Sequence, residues 1–142
     1  MYLFSVEKDQ LLLMPSVDVI NHNGAKLVIN DMSYASPEEV ISCCERSIEI
    51  MKQFGEGSAH VLANCTGMRF NSDVIQIVKN TTKTNRPYVR TTAVVGLEGF
   101  TKILVKVVIS FSGRDMKICE TEAEAKNWLA ERYAEIEEPV LV

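Results

Sequence analysis

From residue 25 onward, short apolar runs rich in β-branched residues alternate with longer stretches in which apolar positions recur every three or four residues. "AKLVIN" (25–30), "AHVLAN" (59–64), "YVRTTAVVG" (88–96) and "DMKICE" (115–120) read as strands. The segment "SPEEVISCCERSIEIMKQF" (36–54) reads as a helix with a marked start. Ser36 is its N-cap, Pro37 takes the first helical position and Glu39 completes a capping box. Val40, Ile41, Cys44, Ile48 and Met51 then share one face. Residues 72–84 form the next helix, with Val74, Ile75, Val78 and Thr81 predicted inward. In a third helix, from Glu98 to Phe111, the stripe of Phe100, Ile103, Leu104, Val107, Val108 and Phe111 is predicted to face the core. Thr121 and Glu124 form a second capping box, opening a helix that carries Trp128, Leu129 and Tyr133.

This succession predicts an α/β fold: a mostly parallel sheet of about four strands flanked by helices, because a parallel crossover needs a connection of helix length. The first 24 residues stand apart from the rhythm. "MYLFSV" and "QLLLM" read as short strands, and "HNG" (22–24) as a turn that joins "VDVIN" to "AKLVIN" in a hairpin, so an extra N-terminal strand or hairpin is expected. No linker, repeat or low-complexity tract interrupts the chain, which reads as a single domain over 1–142 with a fraying tail at 135–142.

The third helix is unusual in its width of apolar surface. With Phe100 at zero and about 100° per residue, Val105 and Ile109 fall near 140° and 180°, outside the stripe assigned to the core. They are therefore expected to be partly exposed. Lys102, Lys106 and Ser110 supply the only polar edge. Two outcomes fit a helix of this kind: the N-terminal segment covers it, or it faces its mate in a twofold homodimer through Val105 and Ile109, with Lys102 and Lys106 meeting acidic groups from the ends of the chain.

Charge sharpens the picture only in its distribution. The net charge is −4, yet residues 69–117 hold nine Lys/Arg against three Asp/Glu, whereas 1–68 hold four against nine and 118–142 two against seven. Either these segments interleave and neutralise one another, or a basic face meets an anionic partner. No nucleic-acid motif accompanies the charge, so nucleic acid is not expected as a partner. The N-terminal residues lack a basic region before their apolar run, and "LLLM" (11–14) is far too short for a span, so neither a signal peptide nor a transmembrane segment is expected and the location predicted is cytoplasmic.

Chemistry-bearing residues are sparse. Cys43 and Cys44 are neighbours on a helix and diverge by about 100°, Cys65 and Cys119 stand alone, and His22 and His60 have no metal-ligand companion, so no metal or cofactor is expected. "AVVGLEGF" (93–100) offers Gly96 and Gly99 but not the G-x-G-x-x-G of a dinucleotide fold, and Glu98 stands where a phosphate would lie. Gly96 is read as a chain reversal. In "LANCTGMRFNSDVIQIV" (62–78), Thr66, Ser72 and Asp73 fall at the C-terminal end of a parallel strand, the edge where open α/β sheets bind ligands, although capping by Asn71 or Ser72 also accounts for them. No G-x-S-x-G elbow or base is present, and no enzyme is predicted.

That turn carries a resemblance. A strand, then Thr66-Gly67-Met68, Phe70 and a capped helix resembles the central turn of STAS domains, the anti-sigma-factor-antagonist type; "RPYVRTTAVVG", "FTKILVKVVISFSGR" and "TEAEAKNWLAE" are similar to STAS-like bacterial proteins. The similarity covers roughly residues 25–134 and implies a STAS-like β-α sandwich related to the CRAL-TRIO lipid-binding fold. STAS switch proteins carry an Asp-Ser-Ser-Gly run with a phosphorylated serine where this chain reads Asn71-Ser72-Asp73-Val74, which places Ser72 one register away. The resemblance thus implies a shared fold without the phosphorylation circuit. It points first to a non-enzymatic regulatory or protein-interaction module that uses Thr66, Arg69, Phe70, Ser72 and Asp73, and alternatively to the binding of a lipid or another apolar or anionic small molecule.

Overall fold

The computed structural model describes residues 15–137. The strands expected in "MYLFSV" and "QLLLM" lie outside them. So does most of the tail, whose residues Glu135, Ile136 and Glu137 still belong to the last helix.

The chain begins as an antiparallel hairpin of β1 (Ser16–His22) and β2 (Ala25–Asp31), in the register His22 opposite Ala25. Asn23 and Gly24 turn it, both at positive φ (51° and 84°), the pair of angles whose twist matches that of the flanking strands. Then follow α1 (Pro37–Lys52), β3 (Ala59–Asn64), α2 (Ser72–Asn85), β4 (Val89–Val95), α3 (Gly99–Ser112), β5 (Met116–Ile118) and α4 (Glu122–Glu137). The capping box at α1 is formed in full: the Glu39 amide donates to Ser36 Oγ at 3.3 Å, and the Ser36 amide to Glu39 Oε1 at 3.0 Å.

The five strands lie in chain order, β1-β2-β3-β4-β5, with every pair parallel except the first. Right-handed crossovers in one constant direction place α1, α2 and α3 on the same face of the sheet. α4 lies across the other. Strand alternation sorts the core accordingly: Leu27, Ile29, Leu62, Ala93 and Val95 pack under Ala125, Leu129 and Ala130 of α4, while Val94, Cys65 and Met32 pack with Val40, Cys43 and Cys44 of α1. Val28, Val61 and Ala59 join Met51 at the other end of α1.

The helices on the three-helix face differ from expectation in how they roll. Ile41 on α1 and Ile75 on α2, assigned inward by periodicity, are exposed, while Val78, although 38% exposed, faces the space between α2 and the sheet. On α3 the inversion is complete. Phe100 is 73% exposed, Ile103 60%, Val108 65% and Phe111 86%, with Leu104 and Val107 also in solvent, so the stripe predicted to enter the core is the outer face. Val105 and Ile109 are half-buried, and Val105 packs against the core cluster instead of standing on a free dimer face. No residue of α3 is fully buried. Apolar residues surround most of this helix, so its sequence gives two faces nearly equal claim to the sheet. The face that meets the sheet is the one carrying Val105, which packs with Val94, Met116 and Ile118; Lys102 pairs with Glu120 beyond β5, and Gly113 at φ 69° ends the helix so that the chain can turn into that strand.

Candidate functional site

The C-terminal ends of β2, β3 and β4 form one continuous rim, built twice by the same local device. Asp31 Oδ1 accepts from the amide and hydroxyl of Ser33 (3.1 and 2.6 Å), and Asn64 Oδ1 accepts from the amide and hydroxyl of Thr66 (3.1 and 2.7 Å). These side-chain turns hold the strand ends open. Backbone bonds then stitch neighbouring turns together: Met32 N to Asn64 O (2.9 Å), Tyr34 N to Thr66 O (2.7 Å) and Cys65 N to Val95 O (2.9 Å). Gly96 (φ 85°) is a corner required by this proximity, because a Cβ there would sit 2.3 Å from the Thr66 amide nitrogen. The reading of Gly96 as a chain reversal agrees.

The residues singled out in the sequence divide on this rim. Thr66 is half-buried and its hydroxyl is committed to Asn64, while Arg69, Ser72 and Asp73 are exposed. Asn71, not Ser72, caps α2, accepting from the Val74 amide at 2.9 Å. Phe70 turns under the rim onto the core and, with Met68, lines a cavity. Tyr34, which periodicity did not single out, is the most prominent rim side chain: it is 70% exposed, at φ 58°, with its ring laid over Gly67.

The cavity of about 150 Å³ lies between the sheet and the three-helix face. Its floor is the sheet itself, from Asn30 and Ala63 to Val94 and Met116; α1 contributes Val40 and Cys44, α2 Val78 and Thr81, and α3 Val105. Arg114 also lines it, reaching the Thr82 carbonyl (3.4 Å) and Asn85 Oδ1 (3.5 Å), and burial lowers its pKa, helped by nearby Arg86. Neither Asn30 nor Arg114 was signalled by a motif. An asparagine at an inward position of an otherwise apolar strand was the available clue.

The titratable residues elsewhere serve the structure. His60 lies on the opposite face, fully buried under α4, with Nδ1 2.6 Å from Thr91 Oγ1, Nε2 3.3 Å from Glu137 Oε1 and the Tyr133 ring edge-on. Burial pushes the Cys43 and Cys65 thiols up to about 12, the reverse of an activated nucleophile. Among the described residues no three His, Cys, Asp or Glu gather as metal ligands, and no helix is long and apolar enough to cross a membrane.

Neither a family model nor a curated protein matches the chain by sequence. Its fold does match a solved one: the crystal structure of an uncharacterized protein of the DUF3478 family from Shewanella loihica PV-4, described as having a SpoIIAA-like fold. The TM-score is 0.64 at 10% identity, over 81% of this chain and 93% of that one.

Proposed function

Taking the SpoIIAA-like, that is STAS-like, fold as the frame, we propose that this protein is a non-enzymatic interaction module that self-associates through the outer face of α3 and presents the rim at Thr66, Arg69, Ser72 and Asp73, with Phe70 packed beneath it, to a protein partner. The observation that carries the first half is the stripe of six large apolar side chains turned to solvent on α3. Together they expose on the order of several hundred Å², at or beyond the largest patch of a typical monomer (~300–600 Å²). A standard interface buries ~800 Å² per partner, so this stripe with its flanks is of the right size.

The occupant that fits is a second copy. The stripe is a positional palindrome about the midpoint between Val105 and Lys106: Phe100 mirrors Phe111, Ile103 mirrors Val108, and Leu104 mirrors Val107. Two α3 helices packed antiparallel about a twofold axis therefore set Phe100 of one copy opposite Phe111 of the other, and each remaining position opposite an apolar one. The dimer expectation is kept, but its contact moves from Val105 and Ile109 to the opposite side of the helix. Lys106 stays exposed at the flank, and Lys102 is engaged by Glu120 of its own chain.

Light scattering on the full chain at tens of micromolar should give a dimer, and Ile103→Glu with Val108→Glu, two exposed positions that meet across the axis, should give a folded monomer. A monomeric wild type, or a doubly substituted protein of unchanged mass, overturns the reading. Sedimentation of a monomeric wild type with anionic lipid vesicles would assign the stripe to a membrane surface instead.

A further inference from the structure

On a different observation, independent of self-association, we infer that the cavity between the sheet and the three-helix face is a binding site for a compact apolar molecule that carries one hydroxyl group, held by Asn30. Asn30 belongs to β2, where its side chain lies on the same sheet face as Val28, and it sits beside Ala63 of β3 in the parallel register. It is 7% exposed and lines the cavity, and its Oδ1 is buried with no hydrogen-bond partner among the described residues. Buried side-chain amides are normally paired, because the water they give up must be replaced. A second unpaired buried oxygen among the described residues, the Ser47 hydroxyl, belongs to a packed position of α1 that does not line the cavity.

The rest of the lining fixes the ligand class. Among the described residues no carboxylate lines the space; Arg114, Thr82 and Asn85 also line it but are tied to one another, Thr81 and Thr92 add two hydroxyls, and the lining positions next to Asn30 on β3 are the apolar Val61 and Ala63. A ligand there must be apolar over most of its surface. Its polar group must satisfy an amide that presents both an acceptor and a donor, which a hydroxyl, itself both donor and acceptor, matches whichever way the amide is turned. About 150 Å³ accommodates roughly one six-membered ring, not an extended acyl chain. The roof is the loosest part of the wall: α3 has no fully buried residue and meets the rest of the fold chiefly at β5, with Val105 packed on the core, so its opening is the route of entry.

Phenol and toluene separate the terms, since they differ by a hydroxyl in place of a methyl. Titrated into the ¹⁵N-labelled full chain, phenol should bind saturably, shift the amides of Asn30, Val61, Ala63, Thr92 and Val94, and bind about tenfold tighter than toluene. Asn30→Leu should abolish the preference. Ala63→Leu, which fills the space and leaves Asn30 in place, should abolish both. Repeating the titration in the Ile103→Glu, Val108→Glu protein keeps the outcome separate from that of the dimer. The inference is overturned if neither compound saturates, which would mean a cavity for water only, if toluene binds wild type as tightly as phenol, or if Ala63→Leu leaves both affinities unchanged. The compound comparison in wild type and the Ala63→Leu result decide the matter even where Asn30→Leu does not fold.

Discussion

His60 shows how a residue type that invites a catalytic reading can be tied into structure. Burial under α4 lowers its pKa below the ordinary 6.5, with the Glu137 carboxylate opposing that shift and the more distant Arg90 and Asp115 acting in opposite senses. The unfolded chain therefore takes up a proton before the folded one does. The stability this residue contributes is fully present above pH 6.5 and is lost as pH falls from there through the depressed folded value. Urea midpoints measured at pH 7.5 and pH 5.5 should fall on acidification, and His60→Gln, which keeps a hydrogen-bonding group beside Thr91, should flatten that part of the dependence. Equal losses in both proteins would show that other groups carry it.

Among the elements, α3 is the weakest link in the fold. Its outer stripe leaves water only if something covers it, and its inner face contributes Val105 and the flank of Ile109 without a single fully buried side chain. Hydrogen exchange in the monomeric Ile103→Glu, Val108→Glu protein should find α3 amides protected roughly a hundredfold less than those of β3, whose residues Ala59 to Leu62 are all buried. In the wild type, α3 protection should rise with protein concentration. Protection equal to that of β3 in the monomer would mean that the helix packs far more firmly than its exposure implies. α1 is the contrast: its capping box, Pro37 and a face of Val40, Cys43, Cys44 and Met51 all agree on one orientation.

For the molecule as a whole, the cavity and the exposed stripe lie on the three-helix side of the sheet and the rim lies along the strand ends, whereas the opposite side is closed by α4. A partner reading the rim would touch Tyr34 and Arg69, both of types enriched at the energetic centres of interfaces. Replacing Thr66, Arg69 and Ser72 together with alanine should remove one or more proteins from the set retained by the wild type in extracts of its host, with the dimer intact. Identical retained sets would count against the rim. Because Asn71 supplies the cap and Ser72 does not, this substitution leaves the start of α2 in place.

The strand and helix succession, the hairpin at Asn23-Gly24 and the start of α1 were legible in the sequence because each rests on local chemistry: alternation, positive φ at a turn, and a side chain reaching an amide three residues away. The parallel sheet followed from connection length. The roll of α3 was not legible, because a helix apolar around most of its circumference has no unique inward face, and the face that carries Val105 is selected only once the helix is packed against β4 and β5. Asn30 had the same limit. Its place on β2 could be read from alternation, but an unpaired oxygen beside a cavity exists only once β2, β3, α1 and α2, distant along the chain, have been brought around it.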